Sequence, residues 1–102
     1  MLRIILPFLL IIFAQGSAWA DAPNVATDVV PVQALVARVM DGIGVPQQVV
    51  TPGASPHDYA MRPSEARILQ GADIVFWVGP ELTPWLVTPL DRLAADAQNV
   101  RL

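Results

Sequence analysis

Ile74-Val75-Phe76-Trp77-Val78 is an unbroken apolar run that stops abruptly at Gly79-Pro80. A strand with one wet face alternates apolar and polar residues, whereas a continuous run suits a strand covered on both faces, as in a parallel sheet flanked by helices. The neighbouring segments supply such helices. Val32, Leu35, Val36, Val39 and Met40 recur at i, i+3, i+4, i+7 and i+8, one stripe along a helix. Asn24 to Val30, rich in β-branched residues and closed by Pro31, reads as the strand before it. Asp41-Gly42 ends that helix, Gly42 being suited to the left-handed position past many helix ends. Gln47 to Thr51 reads as a second strand. Ser64 reads as the N-cap of a second helix, with Glu65 well placed against the helix dipole and Gly71 as its stop. Thr83-Pro84 opens a third helix, broken or offset at Pro89 and continuing towards Ala97, and Asn99 to Leu102 forms a fourth strand. The predicted order, β-α-β-α-β-α-β, is that of an α/β fold with a parallel, doubly wound sheet. Ligands in such sheets bind beyond the carboxyl ends of the strands. Two loops qualify, Thr51 to Tyr59 and Gly79 to Thr83.

The first 20 residues have a different purpose. Met1-Leu2-Arg3 gives a positive start, Ile4 to Phe13 an apolar stretch and Ala18-Trp19-Ala20 a small-x-small pattern, the three parts of a secretory signal peptide cleaved after Ala20. Gln15, Gly16 and Ser17 interrupt the apolar stretch too early for a membrane-crossing helix. The chain from Asp21 onward is therefore expected to be soluble outside the cytoplasmic membrane. It has no cysteine, so it gains nothing from disulfides and carries no lipidation thiol. All six basic residues are arginines and the net charge is −3, which argues against a nucleic-acid-binding module.

Few side chains suggest chemistry. His57, the single histidine, lies between Pro56 and Asp58 in the first candidate loop. Taken alone it reads either as a metal ligand or as a loop histidine bonded to its neighbours, since zinc sites take three or four protein ligands and neither a second histidine nor a thiolate is present. Asp58 is a candidate to orient it from behind as a hydrogen-bond acceptor. Ser55, His57 and Asp58 are too close in sequence to converge as a nucleophilic triad. Tyr59 reads as a packing residue, Arg62 and Glu65 as a surface pair or capping arrangement, Glu81 as a helix-start acid, and Trp77 and Trp85 as core or interface packing rather than ligand stacking. Gly42-Ile43-Gly44 lacks the third glycine of a phosphate loop and follows a helix.

Pro52-Gly53-Ala54-Ser55-Pro56-His57-Asp58-Tyr59-Ala60-Met61-Arg62-Pro63-Ser64-Glu65 and Gln70-Gly71-Ala72-Asp73-Ile74-Val75-Phe76-Trp77-Val78-Gly79-Pro80-Glu81-Leu82 together resemble the periplasmic solute-binding proteins of zinc ABC transporters. The resemblance implies a two-lobed receptor, each lobe an α/β sandwich, with Zn²⁺ held in the cleft as cargo and delivered to a cognate ABC permease. It implies no enzymatic step and a monomer when complete. The histidine of the family's His-Asp-Tyr motif is a zinc ligand and matches His57. Where some members carry a glutamate before that histidine, this chain has Pro56. The resemblance further implies that residues 21–102 are part of the N-terminal lobe, the remaining ligands being expected beyond Leu102. Imidazole binds metal only when deprotonated, so affinity is expected to weaken towards acid pH. A manganese or iron receptor of the same superfamily would carry more carboxylates. An exported adhesion or scaffold protein would keep the lobe and lack the downstream histidines.

Overall fold

The computed structural model describes residues 20–102, so the proposed export segment lies outside the described residues except for Ala20. Four parallel strands, β1 (Val25–Thr27), β2 (Gln47–Gln48), β3 (Ile74–Trp77) and β4 (Gln98–Arg101), form one sheet in the order β2-β1-β3-β4. Helices α1 (Val30–Val39), α2 (Pro63–Gln70) and α3 (Val87–Leu93) follow the first three strands in turn. The chain steps outward from β1 to β2, then crosses back past β1 to β3. That reversal makes the gap between β1 and β3 the switch point of the sheet, the position where doubly wound folds place ligands. No described helix is long and apolar enough to cross a membrane.

Both faces of the sheet carry helices, but unequally. On one face Ala26, Val75 and Trp77 pack with Leu69 of α2 and with Leu86, Leu90 and Ala94 of the α3 region. On the other, Val25 packs with Val32 and Val36 of α1 and with Met40, its C-cap, and the helix partly covers Ile74 and Phe76. The run at β3 is thus fully buried on one side only. Beside α1 lies an apolar groove lined by Val25, Leu35, Val39, Ile74, Phe76 and Leu102, among others. The five-residue stripe expected on α1 is correspondingly narrower: Leu35 and Val39 are 65% and 79% exposed, and only the i, i+4, i+8 row of Val32, Val36 and Met40 is buried.

Several boundaries move for local reasons. Pro31 lies in the first turn of α1, where a missing amide costs nothing, rather than closing a strand. The second strand has two residues by ladder pairing, although the Val49 and Val50 amides continue onto the Thr27 and Asp28 carbonyls at 2.8 and 3.0 Å. The cap of α2 is Arg62, not Ser64, because Pro63 takes the first helical position. The third helix is offset before Pro89: Pro84–Leu86 is a 3-10 turn, and Pro89 is accommodated in the first turn of α3, which ends at Leu93. Gln33 locks the α1 end of the sheet, accepting from the Thr27 hydroxyl at 2.5 Å and donating to the Pro46 carbonyl at 2.7 Å.

Candidate functional site

At the carboxyl edge of the sheet, the chain leaving β2 turns at once. The Ala54 amide donates to the Thr51 carbonyl at 3.0 Å, and Gly53 takes φ 86°, a left-handed conformation that glycine tolerates. Pro52 and Pro56 withhold two backbone donors, so the segment cannot extend the sheet. It presents His57 and Asp58 to solvent, and among the described residues neither side chain makes a hydrogen bond or ion pair. The imidazole is therefore open to an external ligand. The adjoining crevice, lined by Val29, Pro31, Val50, Thr51, Gly53 and Pro56 among others, contains no acid and no histidine. Its walls offer a cation little.

The ends of this loop are held firmly. Trp85, from the 3-10 turn after β3, donates its indole N–H to the Pro56 carbonyl at 2.6 Å, and its ring lies 5.3 Å from that of Tyr59 at a tilt of 41°. Tyr59 donates its hydroxyl to Glu65, accepts from the Thr51 amide at 3.1 Å and meets the Thr51 hydroxyl at 2.7 Å. Glu65 also accepts from the Thr51 hydroxyl at 3.2 Å and the Arg62 amide at 2.7 Å. Only 7% of Glu65 is exposed. Burial alone pushes its carboxyl upward, but the Arg62 amide, the Tyr59 and Thr51 hydroxyls and the positive charge of Arg62 together outweigh burial and hold its pKa below the ordinary value.

The candidates read from sequence thus separate. Tyr59 does pack, and it also carries a hydrogen-bond relay. Glu65 keeps the capping half of its reading, while its surface half is corrected: the carboxylate is buried because three donors converge on it. Glu81 does not start a helix; it pairs with exposed Arg101 across the ends of β3 and β4. Trp77 is core, and Trp85, partly buried, joins core to loop. Asp28 escapes the sequence reading altogether. Fully buried at the end of β1, it accepts from the Val29 amide at 2.7 Å and the Val78 amide at 2.9 Å, closing the switch point. A lone acid within Val25-Ala26-Thr27-Asp28-Val29-Val30 is the signal that marks it. Among the described residues no group of three or more His, Asp or Glu side chains is arranged to hold a metal.

Comparison with known proteins gives concordant results. The family model described as zinc-uptake complex component A, periplasmic (ZnuA), matches residues 25–102. The high-affinity zinc uptake system protein ZnuA of Paracoccus denitrificans is 46% identical over 85 residues, covering 83% of this chain and 26% of the relative. That of Yersinia pestis is 44% identical over 75 residues, covering 72% and 23%. The chain spans about a quarter of the length of these curated relatives. Among solved structures, the Zn(II)-bound ZnuA-like domain of Streptococcus pneumoniae AdcA superposes with a TM-score of 0.67 at 20% identity, over 78% of this chain and 30% of that one. A Mn-bound periplasmic metal-binding protein from Candidatus Liberibacter asiaticus gives 0.68 at 16% identity, over 76% and 29%. At these identities the structures speak for the shared fold.

Proposed function

This chain belongs to the ZnuA family of periplasmic zinc-uptake components, and on that premise we propose that the complete protein is an exported receptor that captures Zn²⁺ and hands it to an ABC permease. His57 supplies one ligand. The observation that carries the proposal is the placement of this imidazole: exposed, free of hydrogen bonds to the described residues, and held on a tethered loop at the carboxyl edge of the sheet. Neutral imidazole is a common zinc ligand, and one imidazole from this edge leaves the remaining positions to other parts of the protein. Asp58, next in sequence, is suited to accept from the far ring nitrogen once the metal fixes the imidazole. The metal is cargo, so the reading includes neither a catalytic step nor a metal-activated water. Zinc is preferred to manganese or iron because the sequence relatives are named for zinc uptake, and an adhesive or scaffolding role has no comparable support. Calorimetric zinc titration of the complete protein and its His57→Ala variant tests the proposal. Tight binding that collapses in the variant is expected; equal affinity in both removes His57 from the site.

A further inference from the structure

We propose that Trp85 is a positioning residue for the metal-binding loop, fixing the backbone next to His57 before any metal arrives. The inference rests on the reading of His57 as a zinc ligand and adds a residue to it from a different strand connection. Loop 52–59 could reach solvent in many ways, since two prolines and a left-handed glycine keep it out of the sheet. Two anchors restrict it. On the amino side of His57, the Pro56 carbonyl receives the Trp85 indole N–H at 2.6 Å across 29 residues of sequence. On the carboxyl side, the Tyr59 ring packs against the same indole at 5.3 Å, and its hydroxyl is tied to Glu65 and Thr51. Trp85 therefore contacts the loop on both sides of the ligand. Its own place is fixed by the 3-10 turn, whose Leu86 is fully buried. A loop ordered in advance does not spend binding free energy on ordering, so the affinity of its imidazole rises without any new contact to the metal.

The substitution Trp85→Phe keeps an aromatic ring beside Tyr59 and removes the N–H donor together with the second ring of the indole, so the loss of packing has to be controlled for separately. In the complete protein it is expected to weaken zinc binding about tenfold, and to speed amide hydrogen exchange of residues 54–59 in the zinc-free state while leaving the zinc-bound state close to wild type. Leu90→Ala, a cavity in the same core away from the loop, serves as the stability control. It is expected to lower the unfolding midpoint at least as much as Trp85→Phe while leaving zinc affinity unchanged. Zinc affinity and loop exchange unchanged in Trp85→Phe, while His57→Ala abolishes binding, overturn the positioning role and spare the site. A zinc affinity that falls in Leu90→Ala in proportion to stability also overturns it, because the effect is then general. Unchanged affinity in His57→Ala instead overturns the site reading on which the inference rests.

Discussion

The carboxylate of Asp28 joins the ends of β1 and β3: its Oδ2 accepts from the Val78 amide at 2.9 Å, 50 residues away in sequence. Its Oδ1 takes the Val29 amide at 2.7 Å. At a switch point the two strands diverge into different connections, and their last amides lose ladder partners. One fully buried acid satisfies both. Asp28→Ala leaves two amides without acceptors and is expected to cost about 3 kcal/mol in urea unfolding, each buried unpaired group costing roughly 1–3. A loss under about 0.5 kcal/mol, typical of surface sites, contradicts this bridging role.

Glu65 makes stability depend on pH in a defined direction. Its pKa is lowered on folding, so the stabilisation is fully present above the ordinary glutamate value of about 4.3 and is lost as pH falls through the lower folded value. Glu65→Gln removes that titration. Urea midpoints measured from pH 7 to pH 3 are expected to fall more steeply for the wild type than for the variant in the acid range; parallel curves count against the linkage.

Gly79 sits at φ 139°, and a β-carbon there would come within 2.7 Å of both the Arg101 Nε and a Glu81 carboxylate oxygen. Those side-chain ends are exposed and can swing away, giving up an ion pair worth about 0–1 kcal/mol. The backbone conformation cannot be relieved in that way. Gly79→Ala is therefore expected to cost about 1–3 kcal/mol, and the double variant with Arg101→Ala to recover little of it. Full recovery in the double variant would assign the cost to the ion pair instead.

Two adjacent residues at the end of α1, Val39 and its C-cap Met40, separate the buried row from the apolar stripe. Met40→Ala, at 7% exposure, is expected to destabilise by about 2–5 kcal/mol, whereas Val39→Ala, at 79%, is expected to stay within about 0.5. Thermal unfolding of the two variants checks the pair, and equal losses contradict the packing of α1.

The order of elements was legible because breakers stand between them: Gly42, Gly71 and Gly79-Pro80 each end an apolar segment, and the parallel topology follows from strands alternating with helices. Periodicity could not tell which apolar positions the sheet would cover, so Leu35 and Val39 entered a stripe that the structure leaves exposed. The sequence singles out His57 by its loop and motif, and the structure places it exposed on that loop. The side chains that hold that loop were not legible, because Trp85 and Pro56 are 29 residues apart and each has an adequate local explanation. Glu65 gave half a signal through its spacing from the cap, but its burial depends on Tyr59 and Thr51 folding over it.

The most direct measurement is the zinc anomalous difference map of the complete, zinc-loaded protein. Its strongest peak is expected about 2.0–2.1 Å from an imidazole nitrogen of His57. A fully occupied zinc peak bound elsewhere, with the His57 imidazole still in solvent, would contradict the assignment.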